Sequence, residues 1–344
     1  MEATHRATPF PRFVAFFRRH PILLLLCFTP GIPEYLSGSS SFVLLAVNPV
    51  VFLLFLGLNL GLYGPGVLLV REALVRWRPG WAGVIVLGAA YGLLEEGTAL
   101  STIFNPNASV VGFQGSYGHF AGVNWVWAEG VLGIHIVYSV GLPILLLGLA
   151  LPETRGRSLL ARRGVAIALA VYAVDIVLLA LIVGYWRTAP ALLVGAALVA
   201  GLLYVTARAL PHGAWAPKTG APRLRPAIFF LCGLAFYPIL VLVPGLGNQW
   251  HAFPPIVMVV ELGLAGGLFF LIRHLVGRTN NEAALTMVAL GAIVPLVVLG
   301  CLFQILVPIV LVADVLFGLF FYTLWVRYRP EPRVLVPVPP VGAV

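Results

Sequence analysis

The sequence predicts an all-α, polytopic helical membrane protein with about ten transmembrane helices and both termini in the cytoplasm. Three observations support this prediction. The 344-residue chain is 60% hydrophobic and only 10% charged, with a mean hydropathy of +1.01, whereas a soluble domain has about 25% charged residues. Apolar runs of membrane-spanning length recur along the whole chain, and the basic residues cluster in alternate connecting segments. A soluble enzyme and a disordered chain are excluded.

Ten apolar runs are long enough to cross the hydrocarbon core of a bilayer, which takes about 20 residues of helix. The first run is interrupted by Pro30 and Pro33, and the last two are separated only around Gln304 and Pro308. The predicted spans cover roughly residues 20–38, 42–63, 81–103, 121–150, 164–185, 188–208, 226–244, 254–273, 283–303 and 305–326.

The basic residues predict the orientation of these spans. Of the 21 Lys and Arg residues, all but Arg187 fall in the terminal segments or in the segments after even-numbered spans. Cytoplasmic segments are enriched in Lys and Arg, so both termini are predicted to be cytoplasmic. The net charge of +9 is therefore read as a topology signal. The predicted location is the cell membrane, with the lipid bilayer as partner and no nucleic-acid partner.

A shift in composition divides the chain into two membrane-embedded halves. Residues 1–150 are predicted to form an N-terminal half with the polar site, and residues 151–328 a plainer C-terminal half. The Pro-rich tail at 329–344 is predicted to be extended or disordered. The stretch 66–78 is predicted to be a short amphipathic helix on the cytoplasmic surface, with Arg71 and Glu72 facing water.

Two adjacent acids, Glu95 and Glu96, lie in the outer half of the third predicted span, and His135 lies near the middle of the fourth. An ionisable side chain at this depth needs a partner, a water-filled cavity or a neutral state. One loop joins the two spans, so we expect the three side chains to share a site that binds a proton or cation or supplies a general base. The alternative is a packing role for protonated acids. Three other acids are each alone in an apolar span and are predicted to be protonated structural residues: Asp175, Glu261 and Asp314.

Further polar residues lie near the outer ends of the first four spans, where Pro30 and Pro33 break the first helix and glycines fill the loop before the fourth. Broken backbone at membrane depth is tolerated where protein or water satisfies it, as in many transporter sites. Five of these residues are predicted to line a substrate path: Glu34, Asn105, His119, Asn124 and Glu129. No cofactor is specified, and the candidate metal ligands are His119, Glu129 and His135.

Several motifs resemble those of archaeal and bacterial polytopic membrane proteins with no assigned function. This resemblance implies a shared fold with a polar site in the first half of the chain. The stretches that match are Glu34-Tyr-Leu-Ser-Gly-Ser, Tyr63-Gly-Pro-Gly, Tyr91-Gly…Glu95-Glu96-Gly, Phe104-Asn-Pro and Gly122-Val-Asn-Trp-Val-Trp.

A second resemblance concerns the acidic pair and the histidine. Glu95-Glu96 is similar to the paired-Glu motif of the CAAX-protease and bacteriocin-processing family, and His135-Ile-Val-Tyr-Ser139 to its His-x-x-x-Asn motif, with Ser139 at the Asn position. This similarity implies an intramembrane metalloprotease.

These observations leave three hypotheses for the function. Proton- or cation-coupled transport of a small solute or ion ranks first, because unpaired acids occur in several spans. An intramembrane metal-dependent hydrolase ranks second, with Glu95 or Glu96 as general base. The third is a non-catalytic membrane scaffold whose acids only fix helix packing. The sequence does not specify the substrate or the oligomeric state.

The predicted topology can be tested by labelling single cysteines introduced into a cysteine-free background. A membrane-impermeant maleimide added to intact cells should modify cysteines at Val110 and Asn248, which lie in predicted outer segments. Cysteines at Ser158, Gly220 and Leu335 should react only after the membrane is permeabilised. Labelling of Ser158→Cys in intact cells would contradict the ten-span topology.

Overall fold

The computed structural model describes residues 11–40, 43–108, 111–213, 225–279, 282–304 and 308–328. The predicted disorder of the tail at 329–344 concerns residues outside this part of the chain. The structure is 82% helical. The thirteen α-helices of the described residues are α1 (Pro11–Arg19), α2 (Pro21–Pro30), α3 (Val43–Val47), α4 (Pro49–Trp77), α5 (Gly80–Gly92), α6 (Trp125–Ile134), α7 (Leu142–Ala150), α8 (Arg162–Ile182), α9 (Pro190–Ala209), α10 (Pro226–Gln249), α11 (Pro254–Thr279), α12 (Glu282–Gln304) and α13 (Pro308–Tyr328).

Seven helical segments within the described ranges are long and apolar enough to cross a membrane, so the prediction of a polytopic helical membrane protein is confirmed. Two other predicted spans correspond to shorter or more polar helices. The predicted span 20–38 corresponds to the 16-residue helix Pro21–Leu36. The predicted span 81–103 corresponds to a helix that contains Glu95 and Glu96. The seven segments are Pro49–Trp77, Trp125–Ala150, Arg162–Ile182, Pro190–Ala209, Pro226–Gln249, Pro254–Val276 and Glu282–Leu302.

The prediction of a separate amphipathic surface helix at 66–78 is wrong. This stretch belongs to α4, which continues through Pro65 to Trp77 as one helix of 29 residues. Arg71 and Glu72, expected to face water, are only 3% and 2% exposed. Arg71 Nη1 lies 3.0 Å from Glu72 Oε1, and Nη2 donates to the carbonyls of Thr154 (2.6 Å) and Arg157 (2.9 Å). The Leu159 amide donates to the Glu72 carboxylate (2.7 Å). The segment after α7 therefore satisfies both charges and is fixed against α4.

Three helices contain a π-helical segment, in which hydrogen bonds run from residue i to residue i+5 and the turn is wider than in an α-helix. Proline contributes to two of them, since it has no N–H for the carbonyl four residues earlier. Pro33 lies inside the first segment and Pro143 follows the third. The segments are π1 (Gly31–Leu36), which follows α2, π2 (Leu93–Ala99), which follows α5, and π3 (His135–Gly141), which joins α6 to α7.

A small β-hairpin precedes α6. Its strands, β1 (His119–Phe120) and β2 (Val123–Asn124), are antiparallel, with His119 opposite Asn124. Ala121 and Gly122 form the turn with φ of 52° and 79°, which fits the positive-φ residues of two-residue hairpin loops. The hairpin places Asn124 at the beginning of α6, next to the loop that follows π2.

The buried Arg71–Glu72 pair should be important for stability. Glu72→Ala leaves the Arg71 guanidinium buried without its partner, so we expect a loss of about 3–5 kcal/mol in unfolding free energy. Glu153→Ala is the matched control, because it removes an exposed ion pair with Arg18 (3.3 Å) and should cost at most about 1 kcal/mol. Denaturant unfolding in detergent measures both, and equal losses would contradict this account.

Candidate functional site

Glu95, Glu96 and His135 converge in the interior of the helical bundle, as the sequence predicts. Each offers one ligand atom, and these atoms all lie within 4.8 Å of one another. His135 Nε2 is 3.1 Å from Glu96 Oε1, and Nδ1 is 3.5 Å from Glu95 Oε2. Glu95 is 1% exposed, Glu96 is 7% exposed and His135 is 3% exposed. Two carboxyl groups and one imidazole are therefore held together away from water.

The backbone of π2 and π3 positions these side chains. Glu95 and Glu96 both lie on π2, and His135 is the first residue of π3. Two glycines of α5 permit π3 to approach this helix closely. A Cβ added at Gly88 would lie 2.9 Å from Ile136 Cα, and one added at Gly92 would lie 2.9 Å from His135 Cβ. π-helical turns occur frequently at functional sites.

His135 contacts two polar side chains within hydrogen-bonding distance. Nδ1 lies 2.9 Å from Ser139 Oγ, and Nε2 contacts Glu96. A neutral imidazole satisfies both contacts if Nε2–H donates to Glu96 and Nδ1 accepts from the Ser139 hydroxyl. Glu95 Oε2 is buried without a hydrogen-bond partner. With both carboxyl groups ionised, the cluster has two negative charges, and Glu95 Oε2, 3.5 Å from His135 Nδ1, is the oxygen that lacks a hydrogen-bond donor.

Hydrogen bonds connect Glu96 to the loop that follows π2. The Thr102 hydroxyl donates to Glu96 Oε2 and accepts a hydrogen bond from Trp127 Nε1 (2.9 Å). Asn124 Nδ2 donates to the carbonyls of Thr102 and Asn105, both at 2.9 Å. The side chain of Asn124 therefore holds the backbone of the loop at Thr102 and Asn105. Sequence reasoning missed Thr102, whose only signal is its place six residues after Glu96.

The other predicted path residues lie outside the cluster. His119 Nδ1 lies 2.5 Å from Asn124 Oδ1, and Glu129 is an electrostatic neighbour of Glu261. Neither belongs to the group of potential metal ligands that the described residues form, which contains Glu95, Glu96 and His135 alone.

Glu34 is connected to the cluster through tyrosine. Tyr63 donates to Glu34 Oε1 (2.6 Å), and Ser40 donates to Oε2 (2.6 Å). The Tyr63 ring lies 6.1 Å from the Tyr91 ring, which in turn lies 5.7 Å from the His135 ring. Tyr63 and Tyr91 are both neighbours of Glu95. Sequence reasoning missed this role of the tyrosines, although Tyr91 precedes Glu95 by four residues, a spacing that puts both on one helix face.

Tyr91 also stacks on Tyr172 of α8, with ring centroids 6.1 Å apart and planes inclined by 12°. The hydroxyl groups of both tyrosines are buried without a hydrogen-bond partner. Unpaired buried donors are costly, and the Tyr91 hydroxyl lies on the Glu95 side of the cluster.

A model of an uncharacterized membrane protein family matches residues 23–319 of the chain. No curated protein and no solved structure matches the chain. The predicted resemblance to polytopic membrane proteins with no assigned function is thereby confirmed, and nothing in the comparisons supports the similarity to CAAX proteases. The matched region contains Glu34, the acidic pair and His135.

The close approach of α5 and π3 can be tested at Gly92. Gly92→Ala places a Cβ against His135 and should destabilise the protein by about 1–3 kcal/mol through overpacking. Gly57→Ala is the control, because a Cβ at this position in α4 meets nothing within 4 Å; the gain in helix propensity should make it neutral or slightly stabilising. Unfolding in detergent measures both variants. Equal stability of Gly92→Ala and Gly57→Ala would contradict the close contact between π3 and α5.

Proposed function

We propose that this chain, which belongs to the uncharacterized membrane protein family matched above, is a proton- or cation-coupled carrier whose coupling site is Glu95, Glu96 and His135. The observation that supports this function is the convergence of three buried ionisable side chains, of which Glu95 Oε2 has no hydrogen-bond partner. No Lys or Arg of the described residues forms an ion pair with either acid. The negative charge therefore has to be neutralised by a proton or by a bound cation.

Exchange between these two neutralised forms is the chemistry that a coupled carrier needs. Two neighbouring carboxyl groups in a low-dielectric site cannot both ionise cheaply unless a cation is present. Cation entry would displace protons, and cation release would return them. His135 would stabilise the ionised form of Glu96 by donating from Nε2, and Thr102 would hold the same carboxylate from the opposite side.

Two groups of polar residues would line the path between the site and the outer side of the membrane. The first is Glu34 with Tyr63 and Ser40, which reaches the site through the tyrosine rings. The second is the loop segment around Asn105, His119 and Asn124, which is connected to Glu96 through Thr102. The transported species would be a small solute or an ion.

The membrane topology proposed for this carrier is the one that the Arg and Lys pattern predicts. Ten helices would cross the cell membrane, with both termini in the cytoplasm. Residues 1–150 would form the half that contains the coupling site, and residues 151–328 would form the supporting half. On this topology the two polar groups described above both lie toward the outer side, and the Arg71–Glu72 pair lies toward the cytoplasm.

A metal-dependent intramembrane hydrolase is the second candidate, and one observation favours it. Glu95, Glu96 and His135 are three protein ligands of the kind found at catalytic zinc sites, which leave a fourth position for water. If one of the carboxyl groups acted as general base, however, only two of these three ligands would remain on the metal. His119 and Glu129, which the sequence proposed as metal ligands, lie outside the cluster and do not complete the set.

Ion-driven proton movement in proteoliposomes tests the carrier. Vesicles that contain the purified protein and the pH-sensitive dye pyranine should change their internal pH when an inward gradient of NaCl, KCl or MnCl2 is applied. Glu95→Gln and Glu96→Gln remove the exchangeable charge and should reduce the rate by at least about tenfold. Glu153→Gln is the control at an exposed acid and should behave like wild type.

Folding of the variants must be measured alongside. Gln keeps the volume and hydrogen-bonding capacity of Glu, so both Gln variants should be at least as stable as wild type, because a buried charge has been removed. A purely structural pair would give no proton movement in any protein. Stoichiometric zinc in the purified untagged protein, lost in the Gln variants and accompanied by no proton movement, would favour the hydrolase over the carrier.

A further inference from the structure

A second pair of acids lies outside the Glu95 cluster, at the contact between α6 and α11. Glu261, predicted to be alone in its span, is 1% exposed and is an electrostatic neighbour of Glu129. Both carboxylate oxygens of Glu261 and the Oε1 atom of Glu129 are buried without a hydrogen-bond partner. The backbone amide of Leu262 faces the Glu129 carboxyl group. Three buried oxygen atoms thus lack a donor or a cation.

A backbone carbonyl adds a fourth oxygen. Pro244 lies inside α10 and has no N–H, so the carbonyl of Leu240, four residues earlier, lacks its ordinary helical donor. A Cβ added at Gly130 would lie 3.4 Å from this carbonyl oxygen and 3.3 Å from Glu261 Oε1. The two oxygens therefore face the same small space, which is open only because residue 130 has no side chain.

We propose that Glu129, Glu261 and the Leu240 carbonyl form a binding site for a hard metal cation of the Na⁺ or Ca²⁺ type. Carboxylate and carbonyl oxygens are the ligands that such cations prefer, and within the described part of the chain no His or Cys groups with these two acids. Carbonyls freed from broken helices coordinate cations in membrane transporters in the same way. No ion pair of the described residues involves either acid, so the bound cation supplies the missing positive charge.

This site does not depend on the function proposed for the Glu95 cluster, because the two share no residue. Glu129 and His135 lie on the same helical segment, separated by six residues or about 9 Å along the axis. The Glu95 cluster contains an imidazole ligand, whereas this second site contains only oxygen. The two sites therefore differ in the class of ion that they select.

Thermal unfolding of the full-length protein in detergent tests the proposal. NaCl or CaCl2, compared with choline chloride at equal ionic strength, should raise the unfolding midpoint by several degrees in a saturable manner, because a ligand that binds only the folded state stabilises it. Glu261→Gln and Glu129→Gln should weaken the apparent affinity by roughly 100-fold or more, since each removes a direct ligand. Gly130→Ala should have the same effect by filling the space between the oxygens.

Glu153→Gln changes an exposed acid that belongs to neither cluster, so it is the matched control and should keep the full cation response. Equal stabilisation by choline chloride would mean an ionic-strength effect and would overturn the proposal. A response unchanged in Glu261→Gln would also overturn it. A pair that only holds protons would respond to pH and to neither cation, and this result would refute the site as well.

Discussion

The low dielectric of a membrane-embedded bundle requires every buried carboxyl group to find a partner, and this requirement organises the polar interior of the protein. Glu72 is satisfied by Arg71 and by the amide of Leu159. Glu34 is satisfied by the hydroxyls of Tyr63 and Ser40. Burial of an unpaired charge costs several kcal/mol, so a carboxylate without such donors requires an ion or a proton. The acids that lack protein partners are therefore the ones most informative about function.

The wide turns of the three π-helical segments coincide with these polar residues. π1 contains Glu34, π2 contains Glu95 and Glu96, and π3 begins at His135. A π-turn inserts one extra residue into the helix and changes the direction of the side chains that follow it. Adjacent residues on a regular α-helix point about 100° apart. The wide turn of π2 therefore helps to explain how Glu95 and Glu96 both reach His135.

Much of the fold and the centre of the site could be predicted from the sequence, because hydrophobic length and the cost of charge at depth are local properties. The apolar runs and the shared position of Glu95, Glu96 and His135 follow from them. The Arg71–Glu72 pair could not be predicted, since its partners lie more than 80 residues away in the chain and an Arg-Glu sequence next to a span is typical of a water-facing surface. The pairing of Glu129 with Glu261 depends in the same way on which two helices pack together.

The helix that contains Glu129 and His135 connects two groups of acids with different chemistry. One group combines an imidazole with two carboxylates and is lined by tyrosine hydroxyls. The other combines two carboxylates with a carbonyl oxygen freed by Pro244. Because an imidazole nitrogen binds protons and borderline metals while an oxygen-only set favours hard cations, the two groups need not compete for one ion. A shift of this single helix would change the ligand distances in both groups together, since π3 positions His135 and α6 positions Glu129. The helical segment Trp125–Ala150 thus supplies one side chain to each of the two groups.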